Sequence, residues 1–127
     1  MRAKLAPGER PVNWMASSKK DLMVMPREVV REIGMALSAA QRGGKAPSAK
    51  PWTGEGPGVM EIVSDFDSDA YRAVYTVTFK AAVYVLHCFQ KKSPTGRKTS
   101  KTDVKLIGDR LRAARDDYRQ RYGKEAK

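Results

Sequence analysis

Arg72 stands in the run Tyr71-Arg72-Ala73-Val74-Tyr75, a cation between apolar and aromatic neighbours. A guanidinium so placed can grip a phosphate through two parallel hydrogen bonds, which a lysine cannot do. Lys91 and Lys92 follow the apolar run Val83–Phe89 as a pair of ammonium groups. His87, the one imidazole of the chain, has an ordinary pKa near ~6.5 that suits proton transfer. Charge stabilisation at phosphorus, with proton movement beside it, is the chemistry these types support. Each also has a plain structural alternative. Arg72 can pair with Glu61 or Asp65 across a sheet, the lysines can be a solvated strand end that resists aggregation, and His87 can be a satisfied core histidine. Cys88, with no second titrating partner in view, reads as a small buried apolar residue.

The elements that must position these groups are legible from periodicity. Val12 to Met15 suits a short strand, and Ser17 to Leu22 a first helical turn with a serine oxygen accepting a backbone N–H. From Arg27 to Gln41, after Pro26, the residues Val29, Val30, Ile33, Leu37 and Ala40 recur at helical spacing. Gly34 weakens that helix by up to ~1 kcal/mol relative to alanine, and Gly43-Gly44 stops it. Residues 43–58 read as a long connection that Trp52 pins to the core. Strands are expected over Val59–Phe66, Tyr71–Phe79 and Val83–Phe89, with Asp67-Ser68-Asp69 and Lys80-Ala81 as turns. In the second of these the odd positions are apolar and the even ones mostly polar, which predicts one core face and one open face, with Arg72 on the open side. The third is apolar on both faces, as a covered central strand should be. By alternation only one of Lys91 and Lys92 can aim at the site of Arg72. A helix from Ser100 to Arg121 closes the chain, with Val104, Ile107, Leu111, Ala114 and Tyr118 as its apolar stripe. The order β-α-β-β-β-α gives an α+β fold.

The 127 residues suit one domain, expected over residues 11–121 between a loose end (1–10) and a basic tail (122–127). No apolar run approaches the length of a membrane span, and the N-terminus lacks the apolar segment of a secretory signal. A single cysteine excludes an internal disulfide framework and fits a reducing cytoplasm. One Cys and one His leave too few soft ligands for a structural zinc, and no metal or cofactor is expected. The net charge of +11 is unevenly spread: residues 1–50 carry +6, residues 51–90 carry −3 and residues 91–127 carry +8. Such a polarised surface attracts polyanions by counterion release.

Four segments carry a resemblance. They are W-M-A-S-S-K-K-D-L (Trp14–Leu22), P-R-E-V-V-R-E-I-G-M-A-L (Pro26–Leu37) and G-V-M-E-I-V-S-D-F-D-S-D-A-Y-R-A-V-Y-T-V (Gly58–Val77). The fourth is V-Y-V-L-H-C-F-Q-K-K-S (Val83–Ser93), backed by D-V-K-L-I-G-D-R-L (Asp103–Leu111). Together they resemble the HigB-like toxins of the RelE/ParE superfamily, in particular the phage-derived branch, over residues 11–120. The resemblance implies a RelE-like domain, a small twisted antiparallel sheet with helices packed on it. It implies a toxin of a type II toxin–antitoxin system that cuts mRNA on the ribosome, and a helix-turn-helix antitoxin (HigA-like) as partner.

It implies that Arg72 acts on the scissile phosphate and that Lys91 and Lys92 lie near it, with His87 as a further candidate. Lys19, Lys20, Arg97, Lys98 and Arg110 are the expected RNA contacts. The strand before Tyr71-Arg72 carries Glu61 and Asp65, where RelE-like nucleases often have basic residues. A tyrosine used by some members soon after the basic strand end is missing, so the general acid and base are not assigned. A ParE-like gyrase-inhibiting toxin and a noncatalytic phage nucleic-acid-binding protein are the alternative functions. The last helix and the Lys91–Arg97 loop are expected at or near the antitoxin interface.

Overall fold

The structure, a computed structural model, describes residues 5–91 and 99–123. Its elements are β1 (Val12–Trp14), α1 (Ser18–Met23), α2 (Arg27–Gln41), β2 (Ala49–Pro51), β3 (Val59–Phe66), β4 (Asp69–Thr76), β5 (Val83–Lys91) and α3 (Lys101–Tyr122). The five strands form one sheet in the order β1-β5-β4-β3-β2. β3, β4 and β5 pair antiparallel, as expected; β2 adds antiparallel to β3, and β1 joins β5 in parallel, so the sheet is mixed. The α+β class stands.

Apolar spacing explains both helical layers. α2 buries Val29, Ile33, Ala36, Leu37 and Ala40 against Tyr71, Ala73, Tyr75, Val85 and Cys88 on one side of the sheet. α3 buries Ile107, Leu111, Ala114 and Tyr118 against Val59, Val74, Tyr84, Leu86 and Phe89 on the other. The even side of β4 is therefore not open: Tyr71 to Thr76 are all buried. The strand also stops at Thr76, where the Thr76 hydroxyl accepts the Thr78 N–H and donates to the Gly58 carbonyl. Val104 lies outside the stripe and is exposed.

Three further details differ from the expected pattern. Ser17 precedes α1 but caps no backbone N–H; its hydroxyl donates to Asp21 Oδ2 instead, at 2.7 Å. The connection after α2 contains β2, paired with β3. Trp52 from that connection packs on the α3 side of the sheet. The register of β4 on β5 shifts between Val74 and Tyr75, so that Val74 faces His87 and Tyr75 faces Val85. Leu86 is the extra residue of this bulge. Bulges re-aim side chains, and here both Leu86 and His87 turn towards α3.

Candidate functional site

The site builds up across four strands on the α3 side of the sheet. Directly opposed residues of an antiparallel pair share a face, and diagonal neighbours lie within reach of long side chains. Lys50 of β2 opposes Glu61 of β3. Glu61 opposes Val74 of β4, which puts Arg72 on its diagonal. Arg72 opposes Phe89 of β5 and Ala70 opposes Lys91, which puts Lys91 on the other diagonal of Arg72. The sheet thus gathers Lys50, Arg72 and Lys91 around the carboxylate of Glu61.

Arg72 is only 9% exposed. Its Nη1 donates to Glu61 Oε2 in a buried ion pair, and its buried Nε–H has no hydrogen-bond partner. The expectation of an exposed guanidinium on an open face is corrected, because the even side of β4 is covered. The cross-strand pairing with Glu61, set out as its alternative, is present. Lys91 is half-buried. Burial, and then the neighbouring Arg72 charge, hold its pKa below the ordinary lysine value. Both effects disfavour a second cation in a partly dry site.

His87 lies beyond Phe89 along β5, with its ring stacked on that phenyl at 4.7 Å between centroids. It is buried, and both ring nitrogens are engaged. Nε2 meets Asp103 Oδ1 at 2.6 Å and Nδ1 meets Arg110 Nη1 at 3.2 Å. A guanidinium N–H can only donate, so Nδ1 accepts and the hydrogen sits on Nε2, donated to Asp103. Asp103 also accepts from the Ser100 hydroxyl at 2.7 Å, and Arg110 also donates to the Leu86 carbonyl at 3.1 Å. His87 is thereby the node that fastens β5 to the first turns of α3.

Of the expected RNA contacts, Lys19 and Lys20 are exposed on α1, whereas Arg110 is half-buried in the His87 network. Lys92, Arg97 and Lys98 lie outside the described residues. Burial pushes the Cys88 thiol up to about 12, so the group is an inert apolar filler.

Sequence reasoning did not single out Lys50 and Asp103. Lys50 was hidden because Ala49-Lys50-Pro51 is too short and too proline-bearing to read as a strand. Asp103 stands three residues after Ser100, the spacing of a capping motif, and that spacing was the available signal. Glu61 enters the sequence reading as an ion-pair partner of Arg72 and as an acidic departure from the RelE-like pattern, not as a site residue.

Among the described residues no group of three potential metal-ligating side chains occurs, and no helix is long and apolar enough to cross a membrane. No curated protein sequence matches the chain. A family model described as phage-derived protein, Gp49-like (DUF891), matches residues 20–112, a stretch that runs from α1 through β5 into α3 and holds every side chain of the site. The chain therefore belongs to the Gp49-like family of phage-derived proteins, a toxin-like family of toxin–antitoxin systems.

Proposed function

We propose that the chain is the HigB-like toxin of a type II toxin–antitoxin pair, and that it cleaves mRNA on the ribosome without a metal or cofactor. The gathering of Lys50, Arg72 and Lys91 around Glu61 carries this reading. Among the described residues of the cluster, three cations stand against one carboxylate, a net positive charge suited to a phosphodiester.

In this reading an RNA phosphate displaces Glu61 from Arg72 Nη1. Nη1 and Nη2 then form the fork that holds its two non-bridging oxygens. Glu61, displaced but adjacent, accepts the proton of the 2′-hydroxyl. The 2′-oxygen attacks phosphorus in line and the bond to the 5′-oxygen breaks. Lys91 supplies the proton to that leaving oxygen. The products are a 2′,3′-cyclic phosphate and a 5′-hydroxyl. Lys50 adds charge against the developing dianion. His87, with Asp103 and Arg110, keeps β5 and α3 in register beneath the site, and Phe89 is the apolar wall between His87 and Lys91. Lys19, Lys20, Arg97 and Lys98 contact the RNA, Lys92, next in sequence to Lys91, adds a second cation, and the cytoplasm is the place of action. A helix-turn-helix antitoxin of the HigA-like kind, acidic where it meets the chain, is the partner.

The test is incubation of the purified protein with ribosomes carrying a defined mRNA, followed by mapping of 5′-hydroxyl ends. Cleavage is expected, and Arg72→Lys, which keeps the charge but loses the fork, should slow it by about 10²-fold. Intact mRNA together with inhibited DNA supercoiling by gyrase would overturn the reading in favour of a gyrase-directed toxin.

A further inference from the structure

On the opposite side of the sheet an apolar groove of about 810 Å³ runs between β1 and α2. Val12 and Trp14 line it from the strand, Leu22 and Met23 from α1, and Val30 and Leu37 from α2. Met23, at its mouth, is 58% exposed.

β1 is the last strand of the sheet on this side. Its parallel pairing places Asn13 opposite Tyr84, and the flanking bonds run from the Val83 N–H to the Pro11 carbonyl and from the Met15 N–H to the Val85 carbonyl. Backbone groups alternate in direction along a strand. The N–H and C=O groups of Val12 and Trp14 therefore point away from β5, over the groove, as an open template for another strand.

Gly34 lines the same groove. Glycine in a helix interior costs up to ~1 kcal/mol relative to alanine, yet a Cβ built on Gly34 meets nothing within 4 Å. The fold's own packing does not call for a glycine here, and the space it opens faces outward.

Charge narrows the occupant. No acidic side chain lines the groove. Arg27 stands one turn before Val30, and Arg42, at the other end of α2, donates to Ser38 on the groove wall at 2.7 Å. A second copy would bring +11 against +11. A nucleic acid would need cations along the length of the groove, and none of its lining residues is cationic.

We infer that this groove docks an extended, acidic segment of a protein partner, paired to the free edge of β1. Side chains two apart in that segment face α2: apolar ones at its centre fill the groove around Gly34, and glutamates at either end of the same face meet Arg27 and Arg42. This is strand addition, in which main-chain bonds give affinity and side-chain pockets give specificity. The inference goes beyond RNA cleavage and does not rest on it, since it concerns the other face of the sheet.

The probe is a capped peptide, Glu-Asp-Val-Thr-Val-Asp-Glu, whose two glutamates share a face with its valines, titrated to millimolar concentration into the full-length ¹⁵N-labelled protein. Amide shifts are expected at Val12, Trp14 and Gly34, with affinity falling severalfold as salt is raised through the range where surface charges are screened. Gly34→Trp, whose Cβ has open space within 4 Å and whose ring would occupy the groove, should lose at least about tenfold in affinity while melting as the unaltered protein does. Gly34→Ala should bind and melt higher. Val12→Pro removes an outward N–H and should also weaken binding about tenfold. Shifts gathered on α3, undiminished binding by Gly34→Trp, the same groove shifts from a short RNA, or no shifts at millimolar peptide would each overturn the inference.

Discussion

Arg72 and Glu61 form the one buried ion pair between a guanidinium and a carboxylate among the described residues, and burial sets the energetics of changing either. Removing one partner strands a charge in a dry site, at a typical cost of about 3–5 kcal/mol, whereas replacing both by apolar groups of similar volume is often neutral or better. Arg72→Ala is therefore expected to lower the urea midpoint sharply, and Arg72→Met with Glu61→Leu to recover most of that loss while cleavage stays absent. Equal stabilities for the single and double variants would contradict the pair. The sequence named Arg72 and its partner candidates, because residue type and strand alternation are local. It missed the burial, because the helix that covers this side of the sheet begins nearly thirty residues later. A second residue-scale expectation concerns Lys91. Its pKa is lowered by burial, then by Arg72, with a smaller contribution from Lys50. Losing the like charge in Lys50→Ala favours the ammonium form, so Lys91 holds its proton to higher pH. If Lys91 protonates the leaving oxygen, the alkaline limb of the cleavage profile lies below 10.5 and moves upward in Lys50→Ala. An unmoved limb would assign the proton to another group.

The elements show where periodicity suffices and where it does not. α2 spans Arg27–Gln41 and β3 spans Val59–Phe66, the limits their apolar spacing and flanking turn residues indicate. β2 has only three residues and owes its existence to pairing with β3, a contact without local signature. The bulge at Leu86 is equally silent, since both faces of β5 are apolar and no alternation exists to be broken. Yet it is this bulge that turns His87 to α3. The first turn of α3 then depends on a short polar chain. The Asp103 N–H donates to Ser100 Oγ at 3.1 Å, the Ser100 hydroxyl donates back to Asp103 Oδ2, and Asp103 Oδ1 receives His87. Ser100→Ala should cost about 1 kcal/mol, the usual worth of such a cap, and Ser100→Thr much less. Thermal melts measure both, and an unchanged melt for Ser100→Ala would mean that the cap contributes nothing in solution.

At the scale of the whole molecule, the sheet divides two apolar cores, one held by α1 and α2, the other by α3. The charge asymmetry visible in the sequence maps onto this division only in part. On α3 the cations Lys105, Arg112, Arg119 and Arg121 each meet an aspartate of the same helix, so the helix is less of a polyanion-binding surface than its composition suggests. Its larger contribution is to close the second core. Tyr118 stacks on Phe79 at 4.5 Å and its hydroxyl accepts the Ala81 N–H at 2.8 Å, while the Tyr84 hydroxyl donates to Asp117 at 2.6 Å. A chain ending at Arg97 would leave Val74, Tyr84, Leu86 and Phe89 facing water and Tyr84 without its carboxylate. Fully burying one such side chain is worth about 1.5–3 kcal/mol, and a domain's whole stability is only about 5–15 kcal/mol. Four uncovered side chains therefore reach the scale of the total. Such a chain should show no cooperative thermal transition and should bind a hydrophobic dye at 25 °C. A soluble fragment that melts cooperatively would mean that the α2 side alone sustains the sheet, and α3 would then be free to serve chiefly as a contact surface.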